Sequence, residues 1–432
     1  MTTRTVLRAR VPGSKSITNR VLLLAAAAQG RSRVGAPLVS DDTVAFRAAL
    51  AALGVDVTDD GDDWLVTGLG GAPRATGPVW CADAGTAARF LPPFAACGDG
   101  TVVFDGSEQL RARPLRPLVD ALTRLGADIR TTDTGPAPAP GLTGGDLPLT
   151  VRATDGGLAG GELVLDSSTS SQYLTGLLMA APLMRTPLTV TVRGLVSTPY
   201  IAMTRSLMRR FGAGVETAGP SALRVRPGGY RATDLAVEPD ASTASYFYAA
   251  AAVTGSTVLV PGLGPDSLQG DLGFTDVLRL TGARVRDTPE GREVTGPDVL
   301  RGGFSVDMGD VSDTFMTLAA IAPLADGPIT ITGIAHARLK ESDRIAAVAG
   351  NLRALGVRVD EGPDRITVRP GPVTPARIAC RRDHRIAMSF SVLGLRAPGL
   401  TFDDPACVSK TFPGFHTELA RLFPGTDEGR RG

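Results

Sequence analysis

The sequence has 432 residues, 43% of them apolar, so it is long enough to build two hydrophobic cores. Lysine and arginine total 45 while aspartate and glutamate total 44, which leaves a formal charge of +1. A chain so close to neutral has no overall field to attract nucleic acid or an anionic membrane, so local clusters of positive charge must meet any anionic ligand.

Cysteine spacing and the N-terminal residues predict a cytoplasmic protein. Cys81, Cys97, Cys380 and Cys407 lie far apart without a CxxC pair, so we expect free thiols rather than a disulfide framework or a zinc site. The first twelve residues carry three arginines and no apolar run of signal-peptide length. No apolar run elsewhere approaches the roughly 18 residues that span a bilayer. The sequence therefore predicts a soluble protein that is not exported.

One pattern recurs along the chain: a helical run, a glycine and a short β run. Its copies are AALAALGVDV, LVDALTRLGADI, SLMRRFGAGV, DVLRLTGARV and NLRALGVRV, followed by the degenerate ELARLFPG. The marker glycines recur at intervals of 70 to 86 residues and are Gly54, Gly126, Gly212, Gly282 and Gly356. Apolar residues recur every three or four positions before each glycine, which predicts an amphipathic helix with glycine in the left-handed position after its end.

The residues after each marker glycine alternate between apolar and polar. In VRVDEGPDRITVRPG, residues 357–371, valine and isoleucine recur around an Asp/Gly/Pro turn, which is typical of a hairpin. Each unit is therefore predicted as a helix plus a hairpin, with a further strand and helix upstream. Six such units fill the chain and predict an α/β fold.

The first chemical cluster is PGSKSITNR, residues 12–20, which leads directly into an apolar helix. Glycine and serine before a helix leave backbone N–H groups facing an approaching anion, and Lys15 and Arg20 add full charges beside them. The cluster predicts a phosphate or carboxylate site. The alternative is an N-cap with solvated basic side chains.

Two more clusters follow in the first half. DAGTAARF places Gly85, which allows a ligand close to the backbone, one turn before Arg89 at the start of a helix. RARP places Arg113 before Pro114, which we predict to be the first residue of a helix, so that Arg113 stands at the positive end of its dipole. The alternative for the first is a tight contact between a helix and a strand.

Hydroxyl groups dominate the next segments. SSTSSQYL, residues 167–174, sets a row of uncharged donors before a helix, and VSTPY, residues 196–200, repeats the theme. Such donors suit a polyhydroxylated or phosphorylated ligand, although a serine N-cap explains one of them.

Clusters in the second half have catalytic character. Asp313 stands at a predicted helix start, where it acts as a general acid or base or merely as a capping carboxylate. LKESDR supplies Lys340, Glu341 and Arg344, with the two basic residues one turn apart if the segment is helical; the alternative is a salt-bridged surface helix. RDHR and SKTFPGF add further basic residues, among them Arg385 and Lys410.

Nine segments that together span nearly the whole chain resemble the EPSP synthase family of enolpyruvyl transferases, and they occur in that family's order. They are PGSKSxxNR, AGTxxRF, RPxxPLVDAL, SSQYLTGLLM, PYIAMT, DASTASYF, KESDR, DHRIAMSF and SKTFP. The resemblance implies two lobes, each an inside-out α/β barrel of three βαβαββ-like repeats. It implies an inserted lobe over residues 15–237 and a split lobe formed by residues 1–14 and 238–432.

The resemblance also implies a reaction: transfer of the enolpyruvyl group of phosphoenolpyruvate to the 5-hydroxyl of shikimate 3-phosphate, by a monomer that needs no metal or organic cofactor. The implied shikimate 3-phosphate contacts are Lys15, Ser16, Arg20, Ser170, Ser171, Gln172, Ser197, Tyr200, Asp313 and Lys340. The implied phosphoenolpyruvate contacts are Lys15, Gly85, Arg89, Arg113, Gln172, Arg344, Arg385 and Lys410. Asp313 and Glu341 are the implied acid and base groups, with Lys15 and Lys410 stabilising developing charge.

Some residues depart from the family pattern. His336 and Asp83 stand where many relatives have asparagine, and Phe90 replaces a proline. Gly85 is retained, which in this family accompanies sensitivity to glyphosate. His384 is a secondary candidate for the acid or base group; the alternative is that, next to Arg385, it only orients its neighbours.

Two other functions compete with this one. The sister family that acts on UDP-N-acetylglucosamine shares the fold but pairs its N-terminal lysine with asparagine, whereas Ser16 follows Lys15 here. A non-catalytic binding module for phosphorylated metabolites is the other alternative, and the presence of both Asp313 and Glu341 speaks against it.

Overall fold

The chain forms two folding units in the computed structural model, which describes residues 5–131, 145–153 and 156–424. One unit is Gly13–Val237, and the other combines the residues before 13 with those from 238 onward. No helix within these described ranges is long and apolar enough to cross a membrane.

Helices and strands alternate along the chain. The described helices are α1 (Lys15–Ala27), α2 (Asp41–Ala52), α3 (Ala87–Ala96), α4 (Glu108–Arg111), α5 (Arg116–Arg124), α6 (Gln172–Ala180), α7 (Thr198–Arg210), α8 (Ala241–Thr254), α9 (Phe274–Leu280), α10 (Phe315–Ile321), α11 (Arg344–Ala354), α12 (His384–Leu393) and α13 (Phe415–Leu422).

The described strands are β1 (Val6–Arg8), β2 (Ala28–Gly35), β3 (Asp56–Asp60), β4 (Asp63–Leu69), β5 (Gly77–Trp80), β6 (Thr101–Asp105), β7 (Asp128–Thr131), β8 (Leu149–Arg152), β9 (Gly161–Asp166), β10 (Leu188–Arg193), β11 (Val215–Gly219), β12 (Ala222–Val225), β13 (Tyr230–Arg231), β14 (Leu235–Ala236), β15 (Thr257–Pro261), β16 (Arg284–Thr288), β17 (Gly291–Thr295), β18 (Phe304–Asp307), β19 (Ile329–Thr332), β20 (Val359–Glu361), β21 (Ile366–Val368), β22 (Arg377–Ile378) and β23 (Thr401–Phe402).

The strands of each unit form several small sheets. In the Gly13–Val237 unit the strand orders are β13-β2-β4-β3, β5-β6-β8-β7 and β11-β12-β10-β9, with β14 also paired to β2. In the other unit they are β1-β15-β17-β16, β18-β19-β21-β20 and β22-β23. Parallel pairs and antiparallel hairpins share a sheet, as in the sheet where β18 pairs with β19 in parallel and β20 pairs with β21 as an antiparallel hairpin. The predicted α/β fold built from repeated helix and hairpin units is confirmed.

The marker glycines lie where the pattern predicts. Each comes two residues after the end of α2, α5, α7, α9 or α11, and a strand follows it. Their φ angles run from +81° to +97°, the left-handed region that glycine enters without steric cost.

Six helices are buried almost throughout and form the cores. In the Gly13–Val237 unit they are α1, α3 and α6, and in the other unit they are α8, α10 and α12. The sheets pack around them, which explains why these helices lack the polar face of a surface helix. Each of the chemical clusters that begin a core helix is therefore anchored on a rigid element.

Two glycines test this packing. A Cβ at Gly176 of α6 would lie 2.3 Å from the carbonyl oxygen of Arg89 in α3, so we expect Gly176→Ala to destabilise the protein by about 2 kcal/mol or more. Exposed Gly350 of α11 has open space, so Gly350→Ala should stabilise it by about 0.5 to 1 kcal/mol. Urea unfolding midpoints measure both changes, and equal effects at the two sites would contradict the packing.

Candidate active site

Lys15 begins α1 and is held by a buried carboxylate. Ser14 caps the helix by accepting a hydrogen bond from the Ile17 amide at 3.4 Å. The Lys15 Nζ lies 3.2 Å from the Oδ2 of Asp42, in the first turn of α2. A side chain that is 14% exposed keeps its ammonium accessible to a ligand while the carboxylate fixes its direction.

Arg20 is buried in the same unit, with only 1% of its surface exposed. Its Nε donates to Thr204 Oγ1 at 2.9 Å and its Nη1 to the Ser16 carbonyl at 2.9 Å, while the guanidinium lies 5.2 Å from the Phe90 ring and 5.7 Å from the Tyr200 ring. No carboxylate among the described residues forms an ion pair with it. Burial lowers the pKa of Arg20 to about 10, so the group stays charged at neutral pH. A buried cation without a counter-ion is costly, and it favours an anionic ligand at this position.

Gly85 and Arg113 are in direct contact. A Cβ at Gly85 would lie 2.5 Å from the Arg113 Nη1, so only glycine leaves room for the guanidinium. Arg89 braces this contact, since its Nη1 donates to the Gly85 carbonyl at 3.0 Å and its Nη2 to the Pro114 carbonyl at 3.2 Å. The buried Arg89 thus positions the segments around it.

The predicted helix start at Pro114 is wrong. Helix α5 begins at Arg116, and Arg113 lies in the connection between α4 and α5. The amide of Leu115 donates to a buried carboxylate, Asp146, at 3.1 Å, and that distant partner moves the helix start beyond the proline. Arg113 is therefore positioned by packing on Gly85 rather than by a helix dipole.

The serine row leads into α6 as predicted. Ser171 occupies the N-cap position, but its side chain makes no capping hydrogen bond. Ser170 Oγ accepts from the Gln172 amide at 3.2 Å. The Gln172 Oε1 is buried and has no hydrogen-bond partner within the described ranges, so it can accept a hydrogen bond from a ligand hydroxyl.

Ser197 has a backbone feature that the sequence did not indicate. It adopts φ +53° and ψ 48°, the left-handed region that a serine rarely enters, just before α7. Strain of this kind is concentrated at functional sites. Tyr200 lies in the first turn of the same helix, with its ring beside Arg20.

The second unit is organised around Arg344. This guanidinium is 1% exposed and donates to Asp383 Oδ2, Asp313 Oδ1 and Glu341 Oε2 at 2.8, 2.9 and 2.8 Å. Burial alone would lower the pKa of Arg344, but the three carboxylates raise it above its ordinary value. The alternative of a solvated, salt-bridged surface helix is excluded by this burial.

Asp313 lies close to three cationic side chains of the site. Arg344 Nη1 lies 2.9 Å and Arg385 Nη2 3.0 Å from its two oxygens, while Lys340 Nζ lies 4.0 Å away. Burial acts to raise the pKa of Asp313, but the three cations outweigh it and hold the pKa well below its usual range. The group is therefore ionised at neutral pH, and it does not serve as the cap of α10, whose N-cap is Thr314.

Lys340 lies outside a helix, so the helical spacing considered for Lys340 and Arg344 does not occur. Lys340 follows the 3₁₀ turn Ala335–Leu339, and α11 begins only at Arg344, where the Asp343 side chain accepts a hydrogen bond from the Ala346 amide. This capping aspartate sets the helix start at the last residue of the motif.

Asp383 positions the start of α12. Its carboxylate accepts from Arg344 Nε at 2.8 Å, from Ser342 Oγ at 2.9 Å and from the Arg385 amide at 3.1 Å. The Arg385 side chain then reaches Asp313, and His384 is fully buried beside it. Lys410 ends the 3₁₀ turn Pro405–Lys410, which packs against α12.

Sequence reasoning missed several supporting residues. They are Asp42, Asn19, Thr86, Tyr246, Asp271 and Ser312. Burial, together with nearby Asp313, raises the pKa of Asp271 to about 6. Their roles depend on contacts between segments far apart in the chain, for which the sequence gives no local signal.

The described residues contain no group of three or more His, Cys, Asp or Glu side chains arranged to hold a metal ion.

His336 gives a prediction for pH dependence. Its Nε2 lies 2.7 Å from Ser312 Oγ. Burial is the larger cause and the positive charge of Lys340 the next, and together they lower the pKa of His336 from 6.5 to about 4. The unfolded chain therefore binds a proton below pH 6.5 that the folded chain binds only near pH 4, so stability falls as the pH falls through that window, by up to roughly 3 kcal/mol.

We expect His336→Asn to lose less stability than the wild type between pH 7 and pH 4.5, measured as the urea unfolding midpoint. His416→Asn, on α13, controls for the removal of a histidine. An acid sensitivity of His336→Asn equal to that of the wild type would contradict the assignment.

Comparison with known proteins gives one consistent result. The family model described as EPSP synthase (3-phosphoshikimate 1-carboxyvinyltransferase) matches residues 3–419. Curated 3-phosphoshikimate 1-carboxyvinyltransferases from Nostoc punctiforme and Thiobacillus denitrificans are 42% and 44% identical, over 96% of this chain and 95% and 96% of theirs.

Solved structures agree on the fold. EPSP synthase from Acinetobacter baumannii is 26% identical and superposes with a TM-score of 0.77 over 97% of this chain and 96% of its own. The enolpyruvyl transferase NikO from Streptomyces tendae is 20% identical with a TM-score of 0.72, over 98% of this chain and 95% of its own, and supports the fold alone. The chain belongs to the EPSP synthase family.

Proposed function

We propose that this protein transfers the 1-carboxyvinyl group of phosphoenolpyruvate to the 5-hydroxyl of shikimate 3-phosphate and releases phosphate. Family membership supports the reaction. The observation that carries it to this chain is Arg20, a buried guanidinium hydrogen-bonded to hydroxyl and carbonyl groups and paired with no carboxylate within the described ranges. The proposal takes the protein to act as a cytoplasmic monomer without a cofactor.

Both substrates are small and strongly anionic, because each carries a phosphate of about −1.5 to −2 and a carboxylate. We propose that cationic side chains bind the anionic groups of shikimate 3-phosphate and that neutral donors and acceptors bind its ring hydroxyls. The proposed contacts are Lys15, Ser16, Arg20, Ser170, Ser171, Gln172, Ser197, Tyr200, Asp313 and Lys340.

We propose that mostly arginines and lysines bind phosphoenolpyruvate, since a rigid guanidinium fork matches a carboxylate or phosphate. The proposed residues are Lys15, Gly85, Arg89, Arg113, Gln172, Arg344, Arg385 and Lys410. Arg89 acts through the Gly85 and Pro114 carbonyls that it binds, so it is a positioning residue.

The reaction is an addition followed by an elimination. The 5-hydroxyl oxygen bonds to C2 of phosphoenolpyruvate and loses its proton, while C3 gains a proton and becomes a methyl group. The C2–O bond to phosphate then breaks, and C3 returns a proton as the new vinyl ether forms. Two side chains that accept and donate protons are therefore required, together with cations for the departing phosphate.

Asp313 and Glu341 are the proposed proton carriers. In the ligand-free protein Arg385, Lys340 and Arg344 keep Asp313 ionised but make it a weak base. Anionic substrate groups that bind these cations offset their positive charge, which raises the pKa of Asp313. Asp313 therefore becomes a stronger base only when the substrates are present. Lys15 and Lys410 stabilise the developing charge and the leaving phosphate.

Phosphate release from the two substrates in chelator-treated buffer tests the activity. We expect turnover with shikimate 3-phosphate and none with UDP-N-acetylglucosamine. Because Arg20 is proposed to bind an anionic group of shikimate 3-phosphate, Arg20→Gln should raise the KM for that substrate by about 10- to 100-fold.

The exposed Arg31 provides the matched control, since Arg31→Gln removes the same charge from the surface of the same unit. Unfolding midpoints confirm that each variant folds. If Arg20→Gln does not fold, Arg20→Lys, which keeps the positive charge, is measured in its place. Absence of phosphate release by the wild type would refute the activity, and an unchanged KM in a folded Arg20→Gln variant would refute this role.

Asp313→Asn and Glu341→Gln test the proton carriers. Each substitution keeps the shape of the side chain but removes its ability to exchange protons, so we expect kcat to fall by about 10²- to 10⁴-fold. Asp266→Asn, at an exposed position of the same unit, should leave kcat unchanged. A folded Asp313→Asn variant with near-normal kcat would remove Asp313 from the role.

A further inference from the structure

Asn19 lies within the first chemical cluster, between two residues with assigned substrate contacts, yet has no role in the proposed reaction. It follows Lys15 by one helical turn and immediately precedes Arg20 on α1. The side chain is fully buried.

The Asn19 amide connects α1 to the start of α3. Its Nδ2 donates to Thr86 Oγ1 at 2.8 Å. Thr86 occupies the N-cap position of α3, but its hydroxyl makes no capping hydrogen bond. The hydroxyl that would ordinarily cap the helix is thus engaged by a side chain 67 residues earlier in the chain.

The residue before Thr86 is Gly85, whose position against Arg113 has little tolerance. An atom added at the Cβ position would come within 2.5 Å of the guanidinium. The Gly85 carbonyl is fixed by Arg89 at 3.0 Å, and the next residue is fixed by Asn19. Two side-chain hydrogen bonds therefore set where the glycine lies relative to the arginine.

The carbonyl oxygen of the Asn19 side chain indicates that packing alone does not explain why an asparagine occupies this position. Its Oδ1 is buried and has no hydrogen-bond partner in the described part of the chain. A buried acceptor without a donor destabilises the folded state, whereas leucine has nearly the same shape and no such cost. Asn351 is a contrasting case, since its amide both donates to and accepts from the backbone of Ala379, at 3.1 and 2.8 Å.

We propose that Asn19 is a positioning residue that holds Gly85 against Arg113 and thereby sets the fit of phosphoenolpyruvate. The inference rests on the proposed function and adds a residue to it. The hydrogen bond to Thr86 carries the effect, and the unpartnered oxygen is the stability cost that accompanies it.

Steady-state kinetics of Asn19→Leu test this inference. We expect the KM for phosphoenolpyruvate to rise about 3- to 10-fold, the effect of one buried hydrogen bond, with the KM for shikimate 3-phosphate within twofold of the wild type. The thermal unfolding midpoint should stay the same or rise. Thr86→Val removes the same hydrogen bond from the other side, so it should give the same change, and the double variant should be no worse than either single one.

Two controls separate positioning from general damage. Gly85→Ala places a Cβ against Arg113 and should raise the same KM, whereas Asn351→Leu should lower the unfolding midpoint without a selective change in either KM. Equal increases in both KM values for Asn19→Leu, or additive effects with Thr86→Val, would overturn the proposal. If wild-type turnover is normal and the Asn19→Leu KM is unchanged, only this inference fails. A wild type that releases no phosphate overturns the proposed function and this inference with it.

Discussion

The site of the second unit depends on the ion pairs that the buried guanidinium of Arg344 forms with three carboxylates. It binds Asp313, Glu341 and Asp383 at once, from a position with 1% exposure. Removing such a group would leave three carboxylates with less charge compensation in a poorly hydrated interior, which is strongly destabilising. Asp383 in turn fixes Arg385 at the start of α12. One side chain therefore determines the positions of both proposed proton carriers and of a proposed phosphoenolpyruvate contact.

The Gly13–Val237 unit meets charge differently. Its buried Arg20 is surrounded by hydroxyls, a carbonyl and two aromatic rings, with no carboxylate paired to it in the described ranges. The contrast suggests complementary roles. The Arg344 cluster is already balanced by three carboxylates, two of which are the proposed proton carriers, whereas we propose that a ligand balances the charge of Arg20. Phe90, which departs from the family pattern, contributes one of the rings beside Arg20.

The sequence predicted the fold well because its signals are local. The marker glycines and the alternating hairpin residues act over a few positions, and the structure confirms both. Helices were also predicted after PGSKSITNR and after the serine row, because serine before an apolar run favours a helix start, and the structure begins them at Lys15 and Gln172, within those segments. The helix proposed at Pro114 failed, since Asp146, 31 residues from Leu115, moves its start.

Site geometry was less accessible to sequence reasoning for the same reason. Arg20 meets Thr204 across 184 residues, and Asn19 meets Thr86 across 67. No pattern within a window of the sequence encodes such pairings. Burial was likewise not predictable for Arg344, because KESDR is typical of an exposed helix until the contacts of Asp383 and Asp313 are known.

Crystallography of the protein soaked with shikimate 3-phosphate and an unreactive phosphoenolpyruvate analogue tests the central claim most directly. We expect an anionic group of the sugar phosphate on Arg20 and anionic groups of the analogue on Arg113 and Arg385, with Arg344 still bound to Asp383. Ligands placed away from these side chains, or an Arg20 that remains unliganded while both molecules are bound, would contradict it.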